Sequence, residues 1–376
     1  MRFIPKILLP LFLLIFYYVG HRLYGFLKQF FPKIKKLPFF TVYAVFPLCF
    51  VIYSYLPVSV FAKIVTVIGN VYLSFFMFAI MLLVPAEVIR LILFLARRLP
   101  QGEKRRKIHI LAGSVICVLL VAIVCGGMIN AFTIRATDYE LEIKKQSGVG
   151  SLKIVAVSDI HLGYQIGSGH LENMVEKINA QNPDIVCIVG DIFDRSTDMV
   201  FDISEATKVL SRIQSKYGVF SVLGNHDVYT RVLEAFFAES NVTLLKDESV
   251  LIDDSFYIVG RNDRNILTGD RYGRVELSEI MKDLDKSKPI IVLDHRPQSF
   301  EEARENGADL VLSGHSHAGQ VFPANLITKM VYTTDYGYGV YGDTQVVVTS
   351  GVGLWGPPIR VGTRAEIAVI NVSFSN

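Results

Sequence analysis

Acidic residues are almost missing from the first third of this chain. Residues 1–136 hold only Glu87 and Glu103, against 16 Lys and Arg. Charge is scarce throughout, at 19% of 376 residues, and mean hydropathy is +0.39. Together these exclude an ordinary soluble protein and point to a membrane class. The remaining residues carry 22 Lys and Arg against 33 Asp and Glu. The net charge of +3 therefore averages two physically different halves and says nothing about partners. Cysteine is scarce as well. Cys49, Cys117 and Cys125 lie in apolar runs, Cys187 lies in a strand-like run, and no CxxC occurs. That excludes a disulfide scaffold and leaves the redox compartment open. There is no internal repeat and no low-complexity segment.

Long apolar runs are what the first third does have. Residues 7–27, 37–62, 64–86 and 110–134 each reach or approach the ~20 residues that cross ~30 Å of hydrocarbon. A cleavable signal peptide fits the first run poorly, because it lacks a small-residue cleavage site and further spans follow. Pro47 would kink the second run but is tolerable in a bilayer. Glu87 and Arg90 stand near a span end and are expected to snorkel. The expected division is a transmembrane domain over 1–135, of about four helices, and a globular domain over 136–376.

Basic residues alternate between the loops. The first loop carries Lys28, Lys33, Lys35 and Lys36, and the second only Lys63. The third carries Arg97, Arg98, Lys104, Arg105, Arg106 and Lys107. Cytoplasmic loops collect Lys and Arg. With four spans, the chain is an integral multi-pass protein of the cell membrane whose globular domain is extracytoplasmic. Three or five spans would reverse that.

From about Tyr139 strand and helix signals alternate. Strands are expected at 152–158, 185–189, 219–223, 290–293 and 310–312, and helices at 171–179, 203–216 and 298–306. The tail, 345–349 and 365–372, reads as strand, and the Tyr- and Gly-rich segment 330–343 as loop. Strand–helix alternation implies a layered α/β domain with parallel elements.

The chemistry lies where the apolar strands end. Short polar clusters follow them: Asp159-Ile160-His161, Gly190-Asp191, Gly224-Asn225-His226-Asp227, Asp294-His295 and Gly314-His315-Ser316-His317. Strand ends in an α/β sheet are where ligands bind. Neutral imidazoles with hard oxygen ligands, one of them a carboxylate able to bridge, suit a pair of divalent metals. Any one cluster alone is weak, since a single GD or HxH is usually a turn or a surface pair. Their joint occurrence in this order is a strong signal.

These five clusters resemble the D-x-H, GD, GNH[DE], lone His and GHxH pattern of the calcineurin-like metallophosphoesterase superfamily. The blocks GHSHAGQ (314–320) and SGVGLWGPPIRVGTRAEI (350–367) are most similar to its bacterial membrane-associated branch, which includes YkuE and YaeI. The resemblance covers roughly residues 150–372. It implies an α/β/β/α sandwich and a dinuclear site. By that resemblance Asp159, His161 and His317 hold one metal. Asn225, His295 and His315 hold the other, and Asp191 bridges. It casts His226 as general acid and Asp194 as the carboxylate that orients it. Arg195 and Arg296 are candidate phosphate contacts, each evenly balanced against a surface salt bridge. Purple acid phosphatases place Tyr where Asp194 stands here, so a tyrosinate–iron site is not expected. The metals should be Mn, Zn or Fe(II), which ligand type alone does not separate.

The expected activity is hydrolysis of phosphate esters or pyrophosphates by a metal-bridged hydroxide, on a substrate that could be lipid-linked. The main alternative is a non-catalytic membrane-bound sensor of the same fold, which the intact ligand set and His226 oppose. A nuclease is opposed by the acidic balance of residues 137–376, so no nucleic acid partner is expected. A transporter lacks charged residues along a membrane pathway. Substrate and oligomeric state are not written in the sequence.

Overall fold

The computed structural model describes residues 4–194, 196–200, 202–263 and 274–375. The chain divides into two compact units, residues 1–127 and 128–376.

The first unit is helical: Ile4–Leu27, Lys36–Ile52, Val60–Leu95 and Gly102–Ala131, the last running into the second unit. Three of the four are long and apolar enough to cross a membrane, and the fourth, Lys36–Ile52, has 17 residues. The uncharged run 37–62 is thus not one helix. Pro57 cannot donate a backbone hydrogen bond and disfavours helix at the residue before it. Ser59 then starts the next helix by accepting from the Ala62 amide at 3.1 Å. Lys63 is drawn into that helix's first turn. Helices Lys36–Ile52 and Val60–Leu95 pack closely at Gly69, where a Cβ would lie 2.7 Å from the Phe50 nitrogen. Glu87 pairs with Arg22 at 3.0 Å and with Arg90 at 3.2 Å, so its charge is neutralised locally.

The second unit contains two six-stranded sheets. The first runs, in spatial order, Ile134–Ile143, Ala365–Phe374, Ser151–Val157, Ile185–Val189, Val219–Val222, Val242–Leu244. The second runs Gly337–Tyr341, Thr344–Val348, Leu310–Ser313, Ile290–Leu293, Phe256–Gly260, Glu248–Ile252. Central strands such as Ile185–Val189 (IVCIV) are buried on both faces, which is why they read as unbroken apolar runs. One face of each sheet packs on the other sheet, through Ile154, Cys187 and Val222 against Ile258, Leu293 and Leu312. The outer face of the first sheet is covered by helices. One is Ser168–Asn179, which buries Leu171, Met174, Val175 and Ile178 at helical spacing. Leu277–Ile280 and Phe300–Glu305 cover the second. The result is a four-layered α/β/β/α sandwich.

Further expectations change, and the helix expected at 203–216 ends at Leu210. Segment 330–343 is not all loop, because Gly337–Tyr341 pairs antiparallel with Thr344–Val348 as a sheet edge. The apolar run 110–134 ends in a strand: Ile134–Ile143 lies parallel to Ala365–Phe374. All four cysteines are free thiols.

Candidate metal centre

Strands Ser151–Val157, Ile185–Val189 and Val219–Val222 run parallel in one sheet, and Ile290–Leu293 and Leu310–Ser313 run parallel in the other. Their carboxyl ends therefore deliver all five polar clusters to one edge of the sandwich. The turns are laced together. The Asp159 amide donates to the Gly190 carbonyl at 3.0 Å, that of His161 to Asp191 at 3.0 Å, and that of Gly314 to His295 at 2.9 Å. Asp159, His161, Asp191, His315 and His317 all sit at positive φ, between 50° and 67°. Non-glycine residues seldom adopt that conformation, and a tight site commonly retains it.

Three groups of side chains converge with their ligand atoms within 4.8 Å of one another: Asp159, His161 and His317; Asp191, His295 and His315; and His161, Asp194 and His226. His317 Nε2 lies 3.3 Å from Asp159 Oδ1 and 3.1 Å from His161 Nε2. Asp191 Oδ2 stands between the first two groups, 3.7 Å from His161 Nε2 and 3.2 Å from His295 Nε2. Asp191 Oδ1 accepts the His226 amide at 2.8 Å. Gly224 permits that approach: a Cβ there would fall 2.2 Å from Asp191 Oδ1.

The donor set fits divalent cations. Asp159 Oδ1, His161 Nδ1 and Asn225 Oδ1 are buried without a hydrogen-bond partner. Orphaned polar atoms are costly unless something binds them. Burial pushes His161 and His315 down to about 3, so both imidazoles are neutral and able to ligate. Burial likewise pushes Asp159 up to about 6. His295 donates Nδ1–H to the Val189 carbonyl at 2.8 Å, which leaves Nε2 facing the site. Burial alone would lower His295 and raise Asp191. Their mutual attraction outweighs it, so His295 sits well above and Asp191 well below its ordinary range.

His226 meets Asp194 as the sequence pairs them, with the Asp194 main chain as a partner. Its Nδ1 contacts the main-chain carbonyl of Asp194 at 2.6 Å, and the Asp194 carboxylate lies within 4.8 Å of both the His226 and His161 rings. Arg195 lies outside the described residues. Arg296 Nε pairs with buried Asp263 at 2.8 Å.

Two supporting residues had no role assigned from the sequence. Buried Asp227 accepts the amides of Ile192 (3.2 Å), Phe193 (3.0 Å) and Gly224 (2.9 Å), clamping the loops of Asp191 and Asn225 together. Burial and the neighbouring Asp191 push it up to about 7. Arg360, 1% exposed, donates to the carbonyls of Ser350 (2.8 Å), Gly351 (3.1 Å) and Gly353 (2.8 Å) and reaches His317 Nδ1 at 3.4 Å. The only sequence signal for either was its place inside a motif block.

Residues 152–319 match the model of the calcineurin-like phosphoesterase family. An uncharacterized metallophosphoesterase of Campylobacter jejuni is 33% identical over 69% of this chain and 68% of its own. A bovine transmembrane protein with a metallophosphoesterase domain is 32% identical over 70% of this chain and 63% of its own length, just under two thirds. YkuE of Bacillus subtilis, an uncharacterized metallophosphoesterase, is 26% identical over 61% of this chain and 82% of its own.

Proposed function

Because the chain belongs to the calcineurin-like metallophosphoesterase family, we propose that it is a membrane-anchored hydrolase of phosphate esters or pyrophosphates. The observation that carries this reading is the convergence of buried, unpartnered ligand atoms at the strand ends. Asp159, His161 and His317 would hold one divalent ion and Asn225, His295 and His315 the other, with Asp191 within reach of both groups. The donor types suit Mn, Zn or Fe(II). When bound, such a pair supplies positive charge to phosphoryl oxygens and acidifies a water nucleophile.

The chain's own residues do the rest. A carbonyl oxygen can only accept, so the contact with Asp194 requires the hydrogen on His226 Nδ1. Nε2 is then the nitrogen whose proton moves, and it protonates the departing oxygen. Asp194 acts as a positioning residue through its main chain. Asp227 holds the loops of Asp191 and Asn225 in register. Arg195, three residues beyond Ile192, remains a proposed phosphate contact.

Lys36–Ile52, counted as a short fourth crossing beside the three longer apolar helices, supports an extracytoplasmic catalytic domain under the basic-loop rule. Only Phe132 and Thr133 separate helix Gly102–Ala131 from the first strand. Such a short tether gives lipids a high effective concentration and favours a lipid-linked substrate.

The test is turnover by the full chain in detergent with Mn or Zn. The panel is nitrophenyl mono- and diesters, phospholipids and nucleotide-sugar lipids, with Asp191→Asn as the control. Metal-dependent cleavage abolished in the control is expected. No cleavage of any ester or pyrophosphate by metal-loaded protein would contradict the assignment.

A further inference from the structure

Helix Ala324–Val331 is built inside out. Leu326, Ile327, Met330 and Val331 are 50%, 59%, 87% and 65% exposed, and no residue of the helix is buried. Their spacing puts them on one stripe. The polar residues lie on the other side. Thr328 Oγ1 donates to Asp335 Oδ2 at 2.7 Å. Asn325 and Lys329 line a concavity of about 430 Å³ with Asp335, Tyr336, Thr363 and Arg364. That concavity also touches Ala318, the neighbour of His317. Two more large apolar side chains, Phe322 just before the helix and Trp355 on the loop held by Gln320, are 42% and 57% exposed. Gln320 ties them together: its amide group donates to the Trp355 carbonyl and accepts the Trp355 amide, each at 2.9 Å. A soluble surface rarely leaves such a patch uncovered.

The local connections say what covers it. Asn130, one residue before the end of helix Gly102–Ala131, donates to the carbonyls of Arg360 (3.0 Å) and Thr363 (2.8 Å). The same loop holds the segment that enters the inside-out helix: Thr363 Oγ1 donates to the Gln320 carbonyl at 2.7 Å, and the Phe322 amide to Val361 at 2.8 Å. The end of a membrane-length helix and the start of the apolar stripe are thus stitched to one short loop. Lys329 and Arg364 stand on the polar side, where phosphate headgroups would lie. A Trp at the edge of an apolar stripe is typical of a membrane–water boundary.

We propose that Ala324–Val331, with Phe322 and Trp355, is a bilayer-docking surface that inserts its apolar stripe into the lipid interface. It presents the Lys329–Arg364 concavity to lipid phosphates beside the metal centre. This rests on the membrane-anchored reading above.

Trp355 is the only tryptophan in the chain, so the native protein reports on itself. The full chain is reconstituted in vesicles of phosphatidylcholine and phosphatidylglycerol, with plain or brominated acyl chains. Bromine quenches indole on contact, so Trp355 emission should fall in the brominated vesicles. The double variant Ile327→Glu, Met330→Glu should recover much of that emission, with turnover of a soluble nitrophenyl ester unchanged. Equal emission in both vesicles, from protein that floats with them, overturns the docking surface alone. The same result with Trp355 also shielded from aqueous iodide points to a second copy of the chain as the true occupant. Failure to float overturns the membrane reading and the docking surface with it.

Discussion

Replacing His226 with Ala separates chemistry from metal binding. The main-chain amide of residue 226, not its ring, holds Asp191 Oδ1 at 2.8 Å, so the loop keeps its anchor in the variant. The ring is half-buried and meets His161 edge-on, with centroids 5.0 Å apart. What the variant loses is the imidazole whose Nδ1 is pinned to the Asp194 carbonyl. General acid assistance is worth about 10²–10⁴-fold, or about 3–5 kcal/mol of barrier. An alkyl ester, whose alkoxide needs a proton to depart, should lose that much turnover. A nitrophenyl ester departs well unprotonated and should lose far less. Asp194→Asn keeps the main-chain carbonyl and should be mild on both. The assay is turnover of the two esters in wild type and variant, with metal content measured on the same samples. Equal losses on the two esters would make His226 a binding or electrostatic contact. Loss of metal would make it a ligand.

Gly224→Ala should strip metal from the site, because its Cβ would lie 2.2 Å from Asp191 Oδ1 and 2.4 Å from the Asp191 nitrogen; normal metal content by elemental analysis would refute that contact. Asp227→Asn cannot accept all three amides it now holds, and should cost about 1–3 kcal/mol of stability, read from denaturant unfolding. Metal affinity should rise with pH. In the metal-free site the raised pKa of His295 stabilises the fold fully below the ordinary imidazole value, and that contribution is lost as pH rises through the elevated one. An arriving ion must expel this proton, so calorimetric binding heats should differ between buffers of different ionisation enthalpy. Identical heats would show that no proton leaves.

Much of the site was legible because its parts sit at the ends of strands buried on both faces. Ile185–Val189 and Ile290–Leu293 carry no polar residue, so the sequence marks where each strand stops and its polar cluster begins. Elements with one wet face were harder. Ile134–Ile143 alternates buried and exposed positions and continues the apolar run of the preceding helix, so its first residue was read as membrane. Edge strands Glu248–Ile252 and Gly337–Tyr341 are mostly part-exposed and carry weak patterns. Hydropathy measures composition, not backbone geometry, and so joined residues 37–62 across the break at Pro57. The role of Asp227 was hidden because it acts on main-chain amides, which have no sequence signature. The same holds for the contact of His226 with the Asp194 carbonyl, another main-chain group.

The most direct test is the number of ions the chain holds. Full-length protein in detergent, saturated with Mn or Zn and then freed of excess, should carry two ions per chain by elemental analysis. Asp191→Asn should weaken both together, because one carboxylate reaches toward both groups, at 3.7 Å from His161 and 3.2 Å from His295. A single tightly held ion in the wild type, or an Asp191→Asn variant that keeps one site at full affinity, would contradict a shared dinuclear centre.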